Sequence, residues 1–526
     1  MDRLEPTLSA PALASGATAC ATPYATSCAT PCADWDTTQT FRLRYSIKPP
    51  GRQGLFSAIR YSSGISGELS FSGDDITLRR SRNAEQRNLP RAAIFDIKLA
   101  HHRISFDLHP AQGGSEHVVL KLGSDEDVRR VVELLPAQMT PAFAAERIAL
   151  ATFKDKLAAL TRFTWVTYLL IALNVIVFAA MCGAGVGVMK VDRFAVIGWG
   201  SNFGPYTLGN EAWRLITSMF VHFGLLHITF NMIALYAVGR LTERLYGNMR
   251  FLALYLFAGL TGSIASVLTH PTINSAGASG AIFGVAGGLL IFVLRFRKEL
   301  PPTIAARNRS AMWVFIAVNL LDGFRHRGID NAAHLGGLAG GLLIGALLAR
   351  PLDNEARQRH SFRSALLASL VACVTLAVLA YPLTHISEAK HEELQFSKLL
   401  VQLSAQERHA IDDTRVWQHM KMRSQVERDA ASNTLIVGIL PQWDALYASV
   451  ENTPLPDGSP RTALRQAMLR YFDDNRRIVR TGALMLSHTE DNDPVATTSI
   501  RALSKDSQEQ AALVKKLAAQ IDNPPR

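Results

Sequence analysis

Long apolar runs are concentrated in the middle of the chain and are almost absent from its two ends. Seven such runs can be delimited, at about 163–182, 223–239, 251–269, 278–294, 311–324, 332–349 and 364–384. A helix needs roughly 20 apolar residues to cross a bilayer, and all of the runs except the short fifth one approach that length. So many runs in one stretch predict a bundle of membrane-spanning helices rather than buried helices of a soluble domain.

The segment before the bundle changes character twice. Residues 1–37 are rich in Ala, Thr, Ser, Pro and Cys, which predicts a disordered tail. Residues 38–137 contain short alternating runs, which predict strands. These runs are FRLRYSI (41–47), GELSFS (67–72), DITLRR (75–80), IFDIKL (94–99), HRISFDL (102–108) and HVVLKL (117–122). With the amphipathic helix predicted at 124–136, they resemble a pleckstrin-homology-like barrel; lipid binding does not follow, and a packing or regulatory role is at least as plausible.

The two remaining soluble segments are predicted to be helical. Residues 138–162 form a juxtamembrane helix that leads into the first span. Residues 387–526 contain several amphipathic stretches, such as HEELQFSKLLVQLSAQERHAI, and no catalytic constellation. We expect this region to be a helical domain outside the membrane that recruits or excludes substrates.

Basic residues predict the orientation of the bundle. The chain carries a net charge of +11, and the Lys and Arg residues that flank the spans fall mostly on one side. They are Lys154, Lys156, Arg162, Arg240, Arg244, Arg250, Arg295, Arg297, Lys298, Arg307, Arg309, Arg350, Arg357, Arg359 and Arg363. Because short basic loops stay in the cytoplasm, we expect a cytoplasmic N-terminus and an extracytoplasmic C-terminal domain, in the inner or plasma membrane if the source is bacterial. Arg325 and Arg327 are a mild exception.

Several classes of function are not expected. The basic flanks account for most of the charge, so no nucleic-acid partner is needed, and no metal or cofactor is expected because neither a phosphate-binding loop nor Cys/His metal spacing is found. The N-terminus lacks the apolar core of a cleavable signal peptide. The five cysteines, Cys20, Cys28, Cys32, Cys182 and Cys373, do not form a disulfide framework. Cys28 and Cys32 could chelate or oxidise, but a tail without function is favoured.

Polar residues occur at one depth in three of the spans. The second, fourth and sixth spans run in the same direction, so their first turns lie near the same membrane face. Those turns contain His222, His227, Asn231, Ser279 and His334. Ionisable groups inside a membrane are costly and usually functional. The shared depth predicts one site.

Glycine stripes predict how the fourth and sixth spans pack. Glycines recur every four residues in both spans, at Gly280, Gly284, Gly288, Gly337, Gly341 and Gly345. Such faces let two helix backbones approach closely. Contact between the stripes would bring Ser279 and His334 within hydrogen-bond reach, as a nucleophile and its base.

The second span offers donors for an oxyanion. His227 and Asn231 share one helical face, and with the backbone N–H of Ser279 they could hold a developing negative charge. The structural alternative for this pair is polar contact between helices. For Ser279 the alternative is that it only caps the fourth span, and for His222 it is a packing role. Gly277 and Gly280 permit a tight turn at the serine. Because Asp330 at the rim is the sole outer-face carboxylate in these three spans, we expect a dyad rather than a triad.

Three motifs resemble those of the rhomboid family of intramembrane serine proteases. HITFN at 227–231, GASG at 277–280 and AHLGGLAGG at 333–341 are similar to the family's HxxxN, GxSG and AHxxGxxxG patterns. The resemblance covers about 160–350. It assigns Ser279 as nucleophile, His334 as base, and His227 with Asn231 as the oxyanion pair.

Further positions carry the same resemblance. Trp213 and Arg214 resemble the family's WR motif, Glu243 and Gly247 resemble its polar cap, and Phe283 matches the aromatic that packs on the catalytic histidine. Gly337 and Gly341 belong to the histidine motif.

The resemblance implies a fold and a reaction. The fold is an all-α polytopic membrane protein with a six-helix core at 163–350, a seventh helix at 364–384, and the two soluble domains outside it. The implied reaction is cleavage of single-span membrane proteins, in or near their spans and within the lipid bilayer, without metal or cofactor. Two alternatives are a non-catalytic rhomboid-like protein that binds transmembrane clients and a transporter with a histidine proton relay. No inverted repeat supports the transporter.

Overall fold

The computed structural model describes residues 38–48, 65–73, 75–81, 85–110, 114–189, 191–326, 329–359, 361–418, 424–487 and 494–522. The predicted tail at 1–37 lies outside the described residues, as does Arg327. The chain divides into two units, residues 1–148 and 149–526, and each is described by itself.

The first unit is built on one open, seven-stranded antiparallel sheet. Its strands are β1 (Gln39–Lys48), β2 (Ile65–Ser72), β3 (Asp75–Arg80), β4 (Gln86–Asn88), β5 (Ile94–Ala100), β6 (Arg103–Leu108) and β7 (Glu116–Leu122). They lie in the order β4-β3-β2-β1-β7-β6-β5. Alternate residues such as Leu69, Ile104 and Leu120 are fully buried, since successive side chains of a strand point to opposite faces. The alternating runs predicted a mainly-β domain, and the sheet forms a half-barrel rather than the barrel that they resemble.

A helix closes the core of this sheet. Helix α1 (Asp125–Leu134) begins at Ser124, whose hydroxyl accepts the N–H of Asp127. Val128 and Val131 face the sheet and are buried. Strand β4 was not predicted, because its three residues are all exposed and carry no alternation.

The second unit contains the apolar helices. Its helices before the C-terminal domain are α2 (Pro141–Leu160, which begins in the first unit), α3 (Trp165–Gly183), α4 (Arg193–Gly198), α5 (Gly204–Thr207), α6 (Arg214–Thr217), α7 (Leu225–Tyr246), α8 (Asn248–Thr269), α9 (Ser279–Arg295), α10 (Pro302–Arg325), α11 (Asn331–Leu348), α12 (Asn354–Arg359) and α13 (Ser361–Thr384). A 3₁₀ turn at Ser218–Phe220 precedes α7. Each of the seven predicted runs lies largely in a helix.

Five of these helices are long and apolar enough to cross a membrane among the described residues: α3, α7, α8, α11 and α13. Helix α9 is apolar but shorter, with 17 residues. Helix α10 has 24 residues and begins well before the predicted run, so that Arg307 and Arg309 lie in its first half. These two helices complete the bundle by packing rather than by length.

Helix α9 forms the centre of the bundle. Of its 17 residues 13 are buried, and its neighbours are α8, α11, α7 and α10. By contrast, only 6% of the apolar window of α13 is buried. A central helix packed on all sides therefore carries Ser279 at its first position.

The C-terminal domain is entirely helical among its described residues. It comprises α14 (Glu388–Gln418), α15 (Gln425–Thr434), a π-helical turn (Leu435–Ile439), α16 (Leu440–Asn452), α17 (Thr462–Ser487) and α18 (Pro494–Asp522). Trp443, Phe396 and Phe472 are fully buried at its centre. The domain has a hydrophobic core of its own.

Candidate active site

Ser279 and His334 are in hydrogen-bond contact. The Oγ of Ser279 lies 2.8 Å from the Nε2 of His334. Ser279 is the first residue of α9, and His334 lies in the first turn of α11 and is 7% exposed. The Nδ1 of His334 is buried and has no hydrogen-bond partner among the described residues. Among the residues that the structure describes, the hydrogen bond therefore joins two side chains and does not continue to a carboxylate.

Glycine makes this approach possible. A Cβ on Gly337 would overlap the carbonyl oxygen of Gly280, and one on Gly341 would overlap that of Gly284. The two stripes therefore meet backbone to backbone, which sets the distance between α9 and α11. Tyr246 reinforces the contact, since its hydroxyl donates to the carbonyl of Gly288 at 2.8 Å.

Phe283 orients the histidine. Its ring stacks on the imidazole of His334 with centroids 4.3 Å apart and an interplanar angle of 8°. Phe283 is itself buried, and its other neighbour is Phe315 of α10. The stacking limits rotation of the imidazole, so that its Nε2 stays directed at Ser279.

His227 and Asn231 lie beside the turn that precedes Ser279. Gly277 has φ +121°, and a Cβ on it would lie 2.8 Å from the Cε1 and 3.0 Å from the Nε2 of His227. The same point is 3.7 Å from the Nδ2 of Asn231. The backbone N–H of Phe223 donates to the Nδ1 of His227 at 3.3 Å, which leaves the proton of a neutral ring on Nε2. Both side chains thus direct donor nitrogens at the space beside Gly277.

His222 supports His227 rather than contacting Ser279. Its ring is fully buried and meets the ring of His227 edge to face, with centroids 5.1 Å apart. Its Nδ1 donates to the carbonyl of Phe220 at 3.3 Å. This geometry favours a packing role for His222.

Backbone contacts fix the loop that leads to Ser279. The N–H and carbonyl of Asn202 pair with those of Ser275 at 2.8 and 2.9 Å. The N–H of Gly277 donates to the carbonyl of Ser218 at 2.8 Å. The sequence did not single out Asn202 or Ser218, because a role carried by main-chain groups leaves no signal in the residue type.

Arg214 anchors the preceding segment and does not enter the site. Its guanidinium is buried, pairs with Glu211 at 2.6 Å, and donates to the carbonyls of Ile197 and Ser201 at 2.5 and 3.2 Å. Trp213 is half exposed and stacks on that guanidinium. Both residues organise the segment that carries Asn202.

Glu243 and Gly247 lie at the opposite end of the bundle. The carboxylate of Glu243 is fully buried and accepts the N–H groups of Val166 and Thr167 at 2.9 and 2.8 Å. It thereby caps α3, whose own N-cap residue makes no side-chain bond. Gly247 joins α7 to α8 with φ +85°. The structure thus separates these two residues from the serine.

Comparisons with known proteins agree with this architecture. The rhomboid domain family matches residues 209–351. The chain is 40% identical over 212 residues to rhomboid protease GluP of Bacillus subtilis, which covers 40% of this chain and 39% of that protein. It is 37% identical to the putative rhomboid protease YdcA of the same organism, covering 32% of this chain and 83% of YdcA.

A third relative comes from another organism. Rhomboid protease AarA of Providencia stuartii is 31% identical over 222 residues, which cover 38% of this chain and 76% of that protein. The matched region therefore spans less than half of GluP but most of YdcA and AarA. The chain belongs to the rhomboid family, and its five long apolar helices are those of a multi-pass membrane protein.

Proposed function

We propose that the protein is an intramembrane serine endopeptidase that uses Ser279 as nucleophile and His334 as general base. The observation that carries the proposal is the 2.8 Å contact between Ser279 Oγ and His334 Nε2 inside the bundle. A neutral imidazole that accepts at Nε2 carries its proton on Nδ1. It can therefore take the serine proton as Oγ attacks a peptide carbonyl.

The oxyanion formed in that attack requires donors that are already in place. Nε2 of His227 and Nδ2 of Asn231 face the space beside Gly277, and the N–H of Ser279 begins α9. Preorganised donors stabilise the charge of the tetrahedral intermediate without reorganisation. The dipole of α9 adds to this, since its positive end is at Ser279. We assign these three groups as the oxyanion hole.

Hydrolysis of the acyl-enzyme consumes water at membrane depth. Asp330 Oδ2 and Asn331 Oδ1, at the start of α11, are buried polar atoms without a hydrogen-bond partner among the described residues. Irregular backbone precedes Ser279, and such backbone occurs at membrane depth where it lines a polar cavity. These groups favour access of water from the side on which α9 and α11 begin.

We infer that the substrates are single-span membrane proteins cut in or near their spans, as the family resemblance implies. The N-terminal half-barrel, with its pleckstrin-homology-like strand pattern, would be cytoplasmic, and α14 to α18 would lie on the other side. The packing of α13 supports this orientation. Near its start Ser364 lies 3.5 Å from Arg250 at the basic end, and near its end Leu379 packs beside Leu215.

A labelling and cleavage assay tests the proposal. Purified protein in liposomes is treated with a fluorophosphonate probe and, separately, with a single-span substrate. Wild type should label and cleave, whereas Ser279→Ala and His334→Ala should each lower cleavage by at least about 10³-fold. Ser275→Ala and His270→Ala are matched controls in the same loop and should retain activity.

Failure has a defined meaning in this assay. Wild type that neither labels nor cleaves in several lipids, and still binds the substrate, would identify a non-catalytic client-binding protein. Labelling that persists in Ser279→Ala would exclude this serine as the nucleophile.

A further inference from the structure

One aromatic ring in the loop before α7 is in contact with the C-terminal domain. The ring of Tyr206, in α5, lies 4.8 Å from the guanidinium of Arg214. The ammonium of Lys398, in α14, lies 5.0 Å from the centroid of the same ring. A cation within about 6 Å of an aromatic face is attracted by the ring quadrupole. Tyr206 therefore contacts one cation of its own segment and one of the C-terminal domain.

The segment that carries Tyr206 is attached to the loop of the nucleophile. The N–H of Gly204 donates to the carbonyl of Pro271 at 2.7 Å. A Cβ on Gly204 would lie 2.7 Å from the Cβ of Pro271, so these two pieces of chain are in close contact. Since Asn202 pairs with Ser275 just beside this contact, a shift of α5 moves the loop that ends at Ser279.

Apolar contacts hold the C-terminal domain at the same place. Leu379 and Leu383, in the last turns of α13, pack against a cluster that contains Leu215 and Val267. Helix α14 follows a few residues later and packs on α5. The end of α13 and the first half of α14 thus both pack against the part of the bundle that contains α5.

We propose that Tyr206 is a positioning residue for the Ser279 site and that Lys398 holds it there, so that the C-terminal domain sets the rate of the reaction. This inference rests on the proposed function. It gives the C-terminal domain a mechanical role, through α5 and the 270–278 loop, besides any role in recruiting substrates.

The chemistry of the contact decides which substitutions matter. Burial raises the pKa of the Tyr206 hydroxyl, so the ring is neutral at physiological pH and attracts cations through its face alone. Tyr206→Phe and Lys398→Arg keep the ring and the charge. Lys398→Met removes the charge and keeps an unbranched side chain of similar length, and Tyr206→Leu removes the ring and keeps a smaller apolar side chain.

A double-mutant cycle on the full-length protein in liposomes tests the proposal. Lys398→Met and Tyr206→Leu should each lower kcat by about threefold to tenfold with little change in KM. The double variant should be no slower than the slower single variant, because both remove one interaction. Lys398→Arg and Tyr206→Phe should each retain at least half of the wild-type kcat. Lys390→Met is the control, since it is an exposed lysine of the same helix.

A second readout keeps this test separate from the proposed function. Amide hydrogen exchange of residues 199–208 and 270–278 should be faster in Lys398→Met than in wild type or in Lys390→Met. If Lys398→Met exchanges faster but wild type never reacts with the fluorophosphonate probe, the coupling between the C-terminal domain and the loop stands, and the proposed protease function is rejected. The inference would be overturned if wild type is active and Lys398→Met has the same kcat and the same hydrogen exchange. It would also be overturned if the kcat losses of the two single variants multiply in the double variant.

Discussion

The two ends of the helix bundle treat buried polar groups in opposite ways. At the end that contains Glu243, this buried carboxylate is paired: the Thr167 hydroxyl also donates to it, at 2.6 Å, and Asn248 donates at 2.9 Å. At the end that contains Ser279, buried polar atoms such as His222 Nε2 and His334 Nδ1 have no partner among the described residues. The buried carboxylate at one end is bound by several donors, whereas two buried histidines at the other end each keep one ring nitrogen without a partner among the described residues.

Basic side chains extend this contrast. Three arginines donate to carbonyls in the last turns of helices at the Glu243 end: Arg357 to Leu245 at 2.8 Å, Arg295 to Ala346 at 2.7 Å and Arg250 to Leu348 at 3.0 Å. The residues that predict a cytoplasmic side thus also satisfy the orphan carbonyls of helix ends. These charged hydrogen bonds between helices lie at one end of the bundle, and the proposed catalytic groups lie at the other. Substitutions at the two ends should therefore separate stability from activity.

The largest effect is expected where the backbones of α9 and α11 touch, and a change there should abolish both properties. Gly337→Val places a branched side chain against the carbonyl of Gly280, and backbone cannot move away as a side chain can. We expect a cost above about 3 kcal/mol and little folded protein. Size-exclusion chromatography in detergent measures the folded yield. Ala377→Val, on the exposed face of α13, is the control and should match wild type.

At the Ser279 end, Gly277→Ala should remove activity and leave most of the stability. The new methyl group would lie about 3 Å from His227 and would fill the proposed oxyanion space. We expect kcat to fall by about 10²-fold. Gly247→Ala is the control: Gly247 also has a positive φ, but its new methyl group would have no atom within 4 Å. This variant therefore measures backbone strain without a steric clash. Equal losses of kcat in the two variants would contradict the oxyanion assignment.

At the Glu243 end, Glu243→Gln should lower stability and leave the chemistry intact. The amide nitrogen of Gln cannot accept the N–H groups that the carboxylate now accepts, so buried donors lose their partner. The expected cost is about 2–4 kcal/mol. It is measured as a lower thermal midpoint in detergent, while kcat of the folded fraction stays within about twofold of wild type. A large fall in kcat at unchanged midpoint would show that the two ends are not separable.

The smallest effect is expected from Tyr246→Phe. This change removes the hydroxyl that donates to the carbonyls of Gly288 and Gly345, and keeps the ring between α9 and α11. A loss of about 1 kcal/mol is expected, seen as a small decrease in the thermal midpoint. Tyr168→Phe is the matched control, because its ring is 48% exposed. A midpoint equal to that of the control would mean that the glycine contact alone holds the two helices.

Most of the site was predictable because its parts repeat at helical spacing. Four-residue glycine periods predicted the contact of α9 with α11, and that contact brings Ser279 to His334. The catalytic roles of these side chains are the proposal made above. Contacts made by the main chain, such as Asn202 with Ser275, could not be predicted, because any residue type supplies an N–H and a carbonyl.

Much of the fold could also be predicted from the sequence. Strands with one buried face showed their alternation, whereas the exposed β4 did not. Length and apolar character identified α3, α7, α8, α11 and α13 as spans, whereas α9 is shorter and the first half of α10 is charged. Periodicity in one helix cannot reveal which distant helix end it will cap, so the bonds from α3 to Glu243 were not foreseen. The location of the C-terminal domain outside the cytoplasm remains a prediction from charge.

The cap on α3 has a consequence for biosynthesis. The acceptor for its first N–H groups lies 77 residues further along the chain, in α7. At roughly 5–20 residues per second, a ribosome needs several seconds to supply that carboxylate after α3 has emerged. During this interval the end of the first span relies on water or lipid headgroups at the membrane surface. Insertion of the second span then completes the first, so the order of synthesis is part of how this bundle assembles.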